Sequence, residues 1–166
     1  MSDKKTESSE IFMPNKKKLQ YFFVWFFCFV FLITFDQISK YISINSNAFE
    51  WLSSLSPVIL KQNFKNYNFA FSLPIPSVLI YVIYIVIIFS LVRYVIGNYK
   101  LFSRTTCFAW ILIFAGAFSN ILERIYLGYV RDFIYLFHGI FNFADIFICL
   151  GILLILLSSN IKDHDL

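Results

Sequence analysis

Long apolar runs alternate with short polar segments along the chain. Four runs are long enough to be considered transmembrane helices: Leu19–Ile44, Val78–Ile96, Thr106–Leu122 and Phe141–Leu157. A transmembrane helix needs about 20 mostly apolar residues, with about 17 as the lower limit, so all four runs qualify. The pattern therefore predicts an all-α integral membrane protein with four transmembrane helices.

The longest connection between these runs, residues 45–77, has a different pattern. It contains PVILKQNFKNYNFAFSLPIP, in which Phe, Tyr and Ile alternate with polar residues before two prolines. This alternation is typical of short strands or a hairpin. We expect a small β-element on the outer face of the membrane.

Composition supports a membrane location for the whole chain. Hydrophobic residues make up 59% of the 166 residues, and 22 are Phe, whereas soluble domains are about 45–50% apolar. Because Lys16, Lys17 and Lys18 precede the first run, a cleaved signal peptide is an alternative. However, CFVFLITFDQISK has no small-x-small cleavage site, which favours an uncleaved anchor.

Basic residues are concentrated on one side of the predicted bundle. The two termini and the connection between the second and third runs carry nine of the 14 basic residues: Lys4, Lys5, Lys16, Lys17, Lys18, Arg93, Lys100, Arg104 and Lys162. The positive-inside rule makes this side cytoplasmic. We expect a basic cytoplasmic tail at residues 1–18, one four-helix transmembrane domain at 19–159 and a second cytoplasmic tail at 160–166.

Polar and ionisable residues gather at the predicted outer ends of the runs. They are Asp36, Lys40, Asn120, Glu123, Arg124, Asp132, Asn142 and Asp145. Such residues are costly beside a membrane and indicate function. Structural interpretations are also open: Asp36 and Lys40 can pair on one helix face. Asn142 can cap a helix, and Arg124 can reach lipid phosphates.

Two of these carboxylates suggest chemistry. Asp145 lies within the run FNFADIFICLGILLILL, with no basic residue before Lys162, so it needs neutralisation or a tertiary partner. Asp132 is the carboxylate expected at a similar depth, and the connection Phe133–Ile140 can fold back to bring the two together. Adjacent carboxylates share a proton, and such a pair can activate water and polarise a peptide carbonyl.

The sequence predicts neither a metal nor a cofactor. Cys28, Cys107 and Cys149 lack disulfide or CxxC spacing and are interpreted as small buried apolar groups. His138 and His164 are too far apart to suggest a metal site. Nothing in the sequence indicates a nucleic-acid partner.

Four segments lie in order at the predicted outer face: DQISK (36–40), NYNFAFS (66–72), AGAFSNILERIYLGYVRDFI (115–134) and FNFAD (141–145). Together they resemble the lipoprotein signal peptidases (signal peptidase II), which are bacterial membrane aspartic peptidases. The blocks of that family read D-x-x-[ST]-K, N-x-G-A-A-F-S, G-G-A-x-G-N-x-I-D-R with G-x-V-x-D-F-I, and F-N-x-A-D. One block is weak evidence, but four in order are specific.

The resemblance implies a fold, a reaction and a set of site residues. The family fold is four transmembrane helices with an outer β-cradle. The family's catalytic pair falls on Asp132 and Asp145, and its supporting positions fall on Asp36, Lys40, Asn66, Gly116, Asn120, Arg124 and Asn142. The implied reaction removes the signal peptide of a prolipoprotein before its diacylglyceryl-modified cysteine, at the bacterial inner membrane. Expected partners are this substrate and membrane lipids, and the expected form is a monomer.

The chain departs from the family pattern at several positions. Asn68 replaces a glycine but tolerates positive φ, and Phe69 replaces an alanine where substrate approaches. Ala115 and Ser119 replace glycines and remain small enough for close helix packing. Glu123 replaces an aspartate.

The other charges of the third block have predicted roles. Asn120 and Arg124 are expected to hold substrate backbone or the geometry of the carboxylate pair. Glu123 and Arg131 are expected to orient the chain at the interface, with pairing of Glu123 to Lys40 as an alternative.

Two other functions are open. A small proton-coupled transporter is the first, because paired carboxylates in a membrane also form proton relays. A structural membrane subunit whose charges bind a partner is the second. The carboxylates cluster at one face without crossing the bilayer, which favours the peptidase.

Overall fold

The computed structural model describes residues 15–45, 59–67, 77–98, 101–136 and 139–162. Within these ranges the chain forms four α-helices and a three-stranded sheet. In chain order the elements are α1 (Asn15–Asn45), β1 (Ile59–Asn66), α2 (Ser77–Asn98), α3 (Arg104–Leu127), β2 (Val130–Leu136), β3 (Gly139–Phe141) and α4 (Phe143–Lys162). The predicted combination of a mostly helical chain with a small β-element is confirmed.

Two helical segments of the described ranges are long and apolar enough to cross a membrane. They are Leu19–Ser43 in α1 and Arg104–Leu127, which forms α3. The apolar parts of α2 and α4 are shorter, at Val82–Asn98 and Phe143–Ser158. Membrane spanning by α2 and α4 therefore stays a prediction.

Large apolar side chains cover the outward surfaces of the helices. On α1, Phe27 and Phe31 are each 65% exposed, and on α2 Ile85 is 68% exposed. Contiguous apolar surface of this extent is unusual on a soluble monomer and suits contact with lipid.

Helices α1, α3 and α4 surround a small apolar core. Leu32 of α1 packs with Leu112 and Ala115 of α3, and Cys28 lies partly buried against them. Cys149, by contrast, is exposed on α4. The prediction that all three thiols are buried is wrong at Cys149, because this residue lies on the outward face of its helix.

Helices α3 and α4 make the most extensive helix contact in the described part of the chain. A Cβ atom at Gly116 would lie 2.3 Å from the carbonyl oxygen of Ala144, and one at Gly151 would lie 2.6 Å from that of Ala109. Glycine therefore permits the two backbones to approach at both points. Gly116 thus sets the position of the start of α4 relative to α3.

The ends of α3 differ from the predicted run, which stopped at Leu122. Ser103 caps the first turn, its hydroxyl accepting a hydrogen bond from the Thr106 N–H at 3.1 Å. The helix continues to Leu127, where Gly128 adopts φ 79° and its N–H donates to the Arg124 carbonyl. Glycine tolerates this left-handed conformation, which ends the helix.

The sheet combines strands from two connections, one between α1 and α2 and the other between α3 and α4. Strand β1 pairs antiparallel with β2, placing Phe64 opposite Asp132 and Lys65 opposite Arg131. Strand β3 pairs antiparallel with β2 on its other edge. The antiparallel pair closest in sequence is therefore β2 with β3, whereas residues 45–77 contribute β1.

Two further expectations concern this region. The fourth apolar run was predicted to begin a helix at Phe141, but Phe141 belongs to β3 and α4 begins at Phe143. Pairing of Phe141 with Ile134 in the sheet holds it in extended conformation. Asn68 and Phe69 lie outside the described residues.

Candidate active site

The first turn of α4 holds Asp145 in a reciprocal capping arrangement. Asn142 precedes the helix, and its side-chain oxygen accepts a hydrogen bond from the Asp145 N–H at 3.0 Å. In return, Oδ2 of Asp145 accepts a hydrogen bond from the Asn142 N–H at 3.1 Å. This is the geometry of a capping box. Asp145 therefore has a local partner, contrary to the expectation of none.

Asp132 lies on β2, where it is 1% exposed. Its Oδ1 accepts a hydrogen bond from Asn142 Nδ2 at 2.6 Å. Its Oδ2 accepts one from Asn66 Nδ2, at the end of β1, at 3.0 Å. Asn142 thus contacts both Asp132 and Asp145. We call these two acids the carboxylate pair.

The electrostatics of Asp132 reflect this position. Burial and, to a smaller extent, the neighbouring charge of Asp145 raise the pKa of Asp132 to about 6. Hydrogen bonds from Asn66 and Asn142 and the charge of Lys40 act in the opposite direction. Because desolvation and a like charge both disfavour the ionised form, Asp132 exchanges its proton close to neutral pH.

Lys40 lies close to the carboxylate pair, with its side chain fully buried. Its ammonium group is 2.7 Å from Asp36 Oδ2 and 3.1 Å from Glu123 Oε2. It also donates to Asn120 Oδ1 at 2.9 Å. These three acceptors match the three donors of an ammonium group. We call Asp36, Lys40, Asn120 and Glu123 the Lys40 cluster.

Asn120 connects the Lys40 cluster to the carboxylate pair. While its oxygen accepts from Lys40, its Nδ2 donates to Asp145 Oδ1 at 2.9 Å. Both carboxylate oxygens of Asp145 therefore accept hydrogen bonds, one from Asn120 and one from the Asn142 backbone. The predicted contribution of Asn120 to the geometry of the pair agrees with these contacts.

Asp36 joins α1 to both other core helices. Its Oδ2 accepts from Ser119 Oγ on α3 at 2.7 Å, and its Oδ1 accepts from the Ala144 N–H on α4 at 2.8 Å. A carboxylate at a helix N-terminus is also favoured by the helix dipole. Both structural pairings that the sequence allowed, Asp36–Lys40 and Glu123–Lys40, are present.

Glu123 is not an interfacial orienting group, because its side chain is 2% exposed. Besides Lys40, its carboxylate binds Arg131 twice. It accepts from the Arg131 backbone N–H at 3.0 Å and from the Arg131 Nε. The expectation that Glu123 and Arg131 orient the chain at the interface is wrong, because the two residues pair with each other inside the protein.

Arg124 is 8% exposed and points toward α2. Its guanidinium lies 5.2 Å from the centre of the Tyr84 ring, a cation–π distance. It also lies 3.5 Å from the Asn120 carbonyl oxygen. These contacts favour a role within the site over the alternative of reaching lipid phosphates.

Several residues that complete the site lie outside the set predicted from the sequence. Ser119 was treated as a packing residue only, although it also receives a hydrogen bond from Gln37 at 2.8 Å. Tyr84 and the inward direction of Arg131 were not anticipated. The available signal was their type: a tyrosine in an aliphatic run and an arginine beside a buried carboxylate.

The described residues contain no group of three or more His, Cys, Asp or Glu side chains arranged to hold a metal ion. His138 and His164 lie outside the described ranges.

Comparison with known sequences and structures identifies the family. The family model described as "Signal peptidase (SPase) II" matches residues 28–161, a range that includes the carboxylate pair and the Lys40 cluster. The lipoprotein signal peptidase of Pseudoalteromonas translucida (strain TAC 125) is 31% identical over 147 residues, covering 80% of this chain and 86% of that protein. The lipoprotein signal peptidase of Staphylococcus aureus is 33% identical over 151 residues, covering 82% and 90%.

A solved structure agrees with this relationship. A bacterial membrane enzyme determined by the in meso method at 2.3 Å resolution has a TM-score of 0.66 and 26% identity, covering 85% of this chain and 89% of its own. A second, determined by the same method at 1.9 Å resolution, has a TM-score of 0.61 and 27% identity, covering 82% and 92%. The protein is therefore a bacterial membrane protein that belongs to the signal peptidase II family.

Proposed function

We propose that the protein is an aspartic endopeptidase that removes the signal peptide of prolipoproteins, cutting before a diacylglyceryl-modified cysteine. The observation that carries the proposal is the contact of Asn142 with both Asp132 and Asp145. Membership of a peptidase family favours this function over a transporter or a structural subunit.

In this mechanism the carboxylate pair shares one proton. The ionised member takes a proton from a water molecule, which attacks the carbonyl carbon of the scissile bond. The protonated member donates a hydrogen bond to the carbonyl oxygen as negative charge develops there. The proton taken from water is then transferred from its carboxyl group to the leaving amine as the C–N bond breaks. The apparent pKa values belong to the pair, so either acid can start as the base.

The surrounding amides support this chemistry by holding both acids in place. Asn66 and Asn142 donate to Asp132, and Asn120 donates to Asp145. Donors fixed by other contacts need little reorganisation as charge moves between the acids. Asn120 is fixed by Lys40, and Asn142 by the capping arrangement.

The proposed orientation places both termini in the cytoplasm, all four helices across the membrane and the sheet at the outer face. The carboxylate pair, the Lys40 cluster and the sheet lie together at one end of the helices. The basic residues of the two termini and of the connection before α3 belong to the opposite ends of the predicted helices. The positive-inside rule makes that side cytoplasmic, which supports this orientation. A substrate anchored by its lipid and signal helix presents its scissile bond near the lipid–water boundary.

Cleavage of a lipidated substrate tests the function directly. We expect the purified full-length protein to release the signal peptide from a diacylglyceryl-modified prolipoprotein, and to leave the same prolipoprotein without the lipid uncut. Release should continue in EDTA and after treatment with serine- and cysteine-directed reagents, because the proposed mechanism uses two carboxylic acids and water. Activity lost in EDTA and restored by a metal ion would contradict this mechanism.

Labelling of introduced cysteines tests the orientation. In a variant without native thiols, cysteines at positions 60 and 136 are expected to react with a membrane-impermeant reagent applied from outside. Cysteines at positions 10 and 100 are expected to react only after the membrane is opened. The reverse pattern would place the carboxylate pair on the cytoplasmic side and contradict the proposed topology.

A further inference from the structure

Arg131 has a position that the proposed mechanism does not use. Its side chain is 13% exposed and is directed at the buried carboxylate of Glu123. The same carboxylate also accepts from the Arg131 backbone N–H. Arg131 immediately precedes Asp132 on β2, so Glu123 holds the strand at the residue beside a proposed catalytic acid.

These contacts complete a closed ring that passes through both acids. From Asp132 it runs through Asn142 to Asp145, and from Asp145 through Asn120 to Lys40. Lys40 binds Glu123, and Glu123 binds Arg131, which is covalently joined to Asp132.

We propose that Arg131 is a positioning residue for the carboxylate pair, and that its guanidinium acts by holding the Glu123 carboxylate between β2 and Lys40. This inference rests on the proposed function. Without the guanidinium, Glu123 retains Lys40 as its cation and the backbone N–H of residue 131 as a donor, but one of its two contacts with β2 is lost. Asp132 then loses part of the restraint that sets its distance from Asp145.

The proposal has an electrostatic consequence. Asp36 and Glu123 carry two negative charges, and Lys40 and Arg131 carry two positive charges, so this set is neutral. Removing the charge of Arg131 leaves one excess negative charge, which disfavours ionisation of nearby carboxylates. The pKa of Asp132 is therefore expected to rise.

Other charged and titratable groups surround this set. They are Asp132 on β2, Asp145 on α4, Arg124 on α3, Tyr84 on α2 and Lys65 on β1. Lys65 is paired with Arg131 across the sheet, but it is exposed and its ammonium lies 5.1 Å from the Tyr129 ring centre. Lys65 is thus a matched cation on the same sheet whose charge faces solvent.

The test compares Arg131→Met, Arg131→Lys and Lys65→Met in the full-length protein with a lipidated prolipoprotein. For Arg131→Met, kcat should fall about 10-fold to 100-fold with KM little changed, because misplacement of acids affects the chemical step. The alkaline limb of its pH profile, where Asp132 loses its proton, should move up by about half a unit to one unit. Arg131→Lys retains the cation, so this limb of its pH profile should stay at the wild-type position. The same is expected of Lys65→Met.

A second charge change separates positioning from general loss of stability. In the double variant Glu123→Gln/Arg131→Met the set is neutral again, so the alkaline limb should return toward its wild-type position even if kcat stays low. The inference is overturned if Arg131→Met keeps the wild-type kcat and pH profile, or if the double variant keeps the shifted limb. An inactive wild-type protein would instead contradict the proposed function itself.

Discussion

Replacing either Asp132 or Asp145 by asparagine is expected to lower kcat for signal-peptide release by roughly 10⁴-fold or more, while the protein remains inserted and folded. Both acids are needed in the same step, because one takes the proton of water while the other polarises the carbonyl. The double variant should therefore be no worse than either single variant. Rates measured under single-turnover conditions with a lipidated prolipoprotein would give these ratios.

The pH dependence of the wild-type protein provides an independent check. Burial and the charge of Asp145 raise the pKa of Asp132 to about 6 from the ordinary value of 3.8. Above that pH both acids are ionised and neither can donate a hydrogen bond to the carbonyl oxygen, so activity should fall as the pH rises through about 6. Substantial activity in either asparagine variant would contradict the assignment of the pair.

The same raised pKa has a consequence for stability. A carboxyl group that holds its proton more tightly in the folded state contributes stability below its unfolded pKa. For Asp132 that contribution is present below about 3.8 and is lost as the pH rises through about 6. Asp132→Asn removes this dependence, which thermal unfolding at pH 4 and pH 7 would detect.

Replacing Lys40 by methionine is expected to destabilise the fold by about 3–5 kcal/mol, because it leaves buried carboxylates without their shared cation. Asp36 would lose its ion-pair partner completely, while Glu123 would keep Arg131. Asn120 would also lose the donor that fixes it beside Asp145. Both thermal stability in detergent and cleavage activity should therefore fall.

Lys65→Met is the matched control for Lys40→Met. Lys65 is exposed and lies over the Tyr129 ring, so its loss should change the free energy of unfolding by no more than about 0.5 kcal/mol. The variant Asp36→Asn/Lys40→Met should recover part of the lost stability, since it removes one unpaired buried charge. A Lys40→Met protein as stable as wild type would show that the buried cation is dispensable.

Much of the secondary structure depends on residues that are close together in the chain, so it can be predicted from the sequence. Apolar runs of membrane length predict helices because the backbone must satisfy its own hydrogen bonds in lipid. The start of α4 is also local, since Asn142 and Asp145 have the spacing of a capping box and form one. The polar blocks gave the family and the candidate acids, and the i, i+4 spacing allowed the pair of Asp36 and Lys40.

The sequence by itself determined a helix-rich membrane protein with polar groups gathered at one end. The tertiary structure decided that Glu123 turns inward between Lys40 and Arg131, and that Asn66 reaches Asp132 from another strand. These contacts depend on the register of β1 with β2 and on the close approach of α3 and α4 at Gly116. Such distances are properties of packed elements far apart in the chain, and the periodicity of a single element does not encode them.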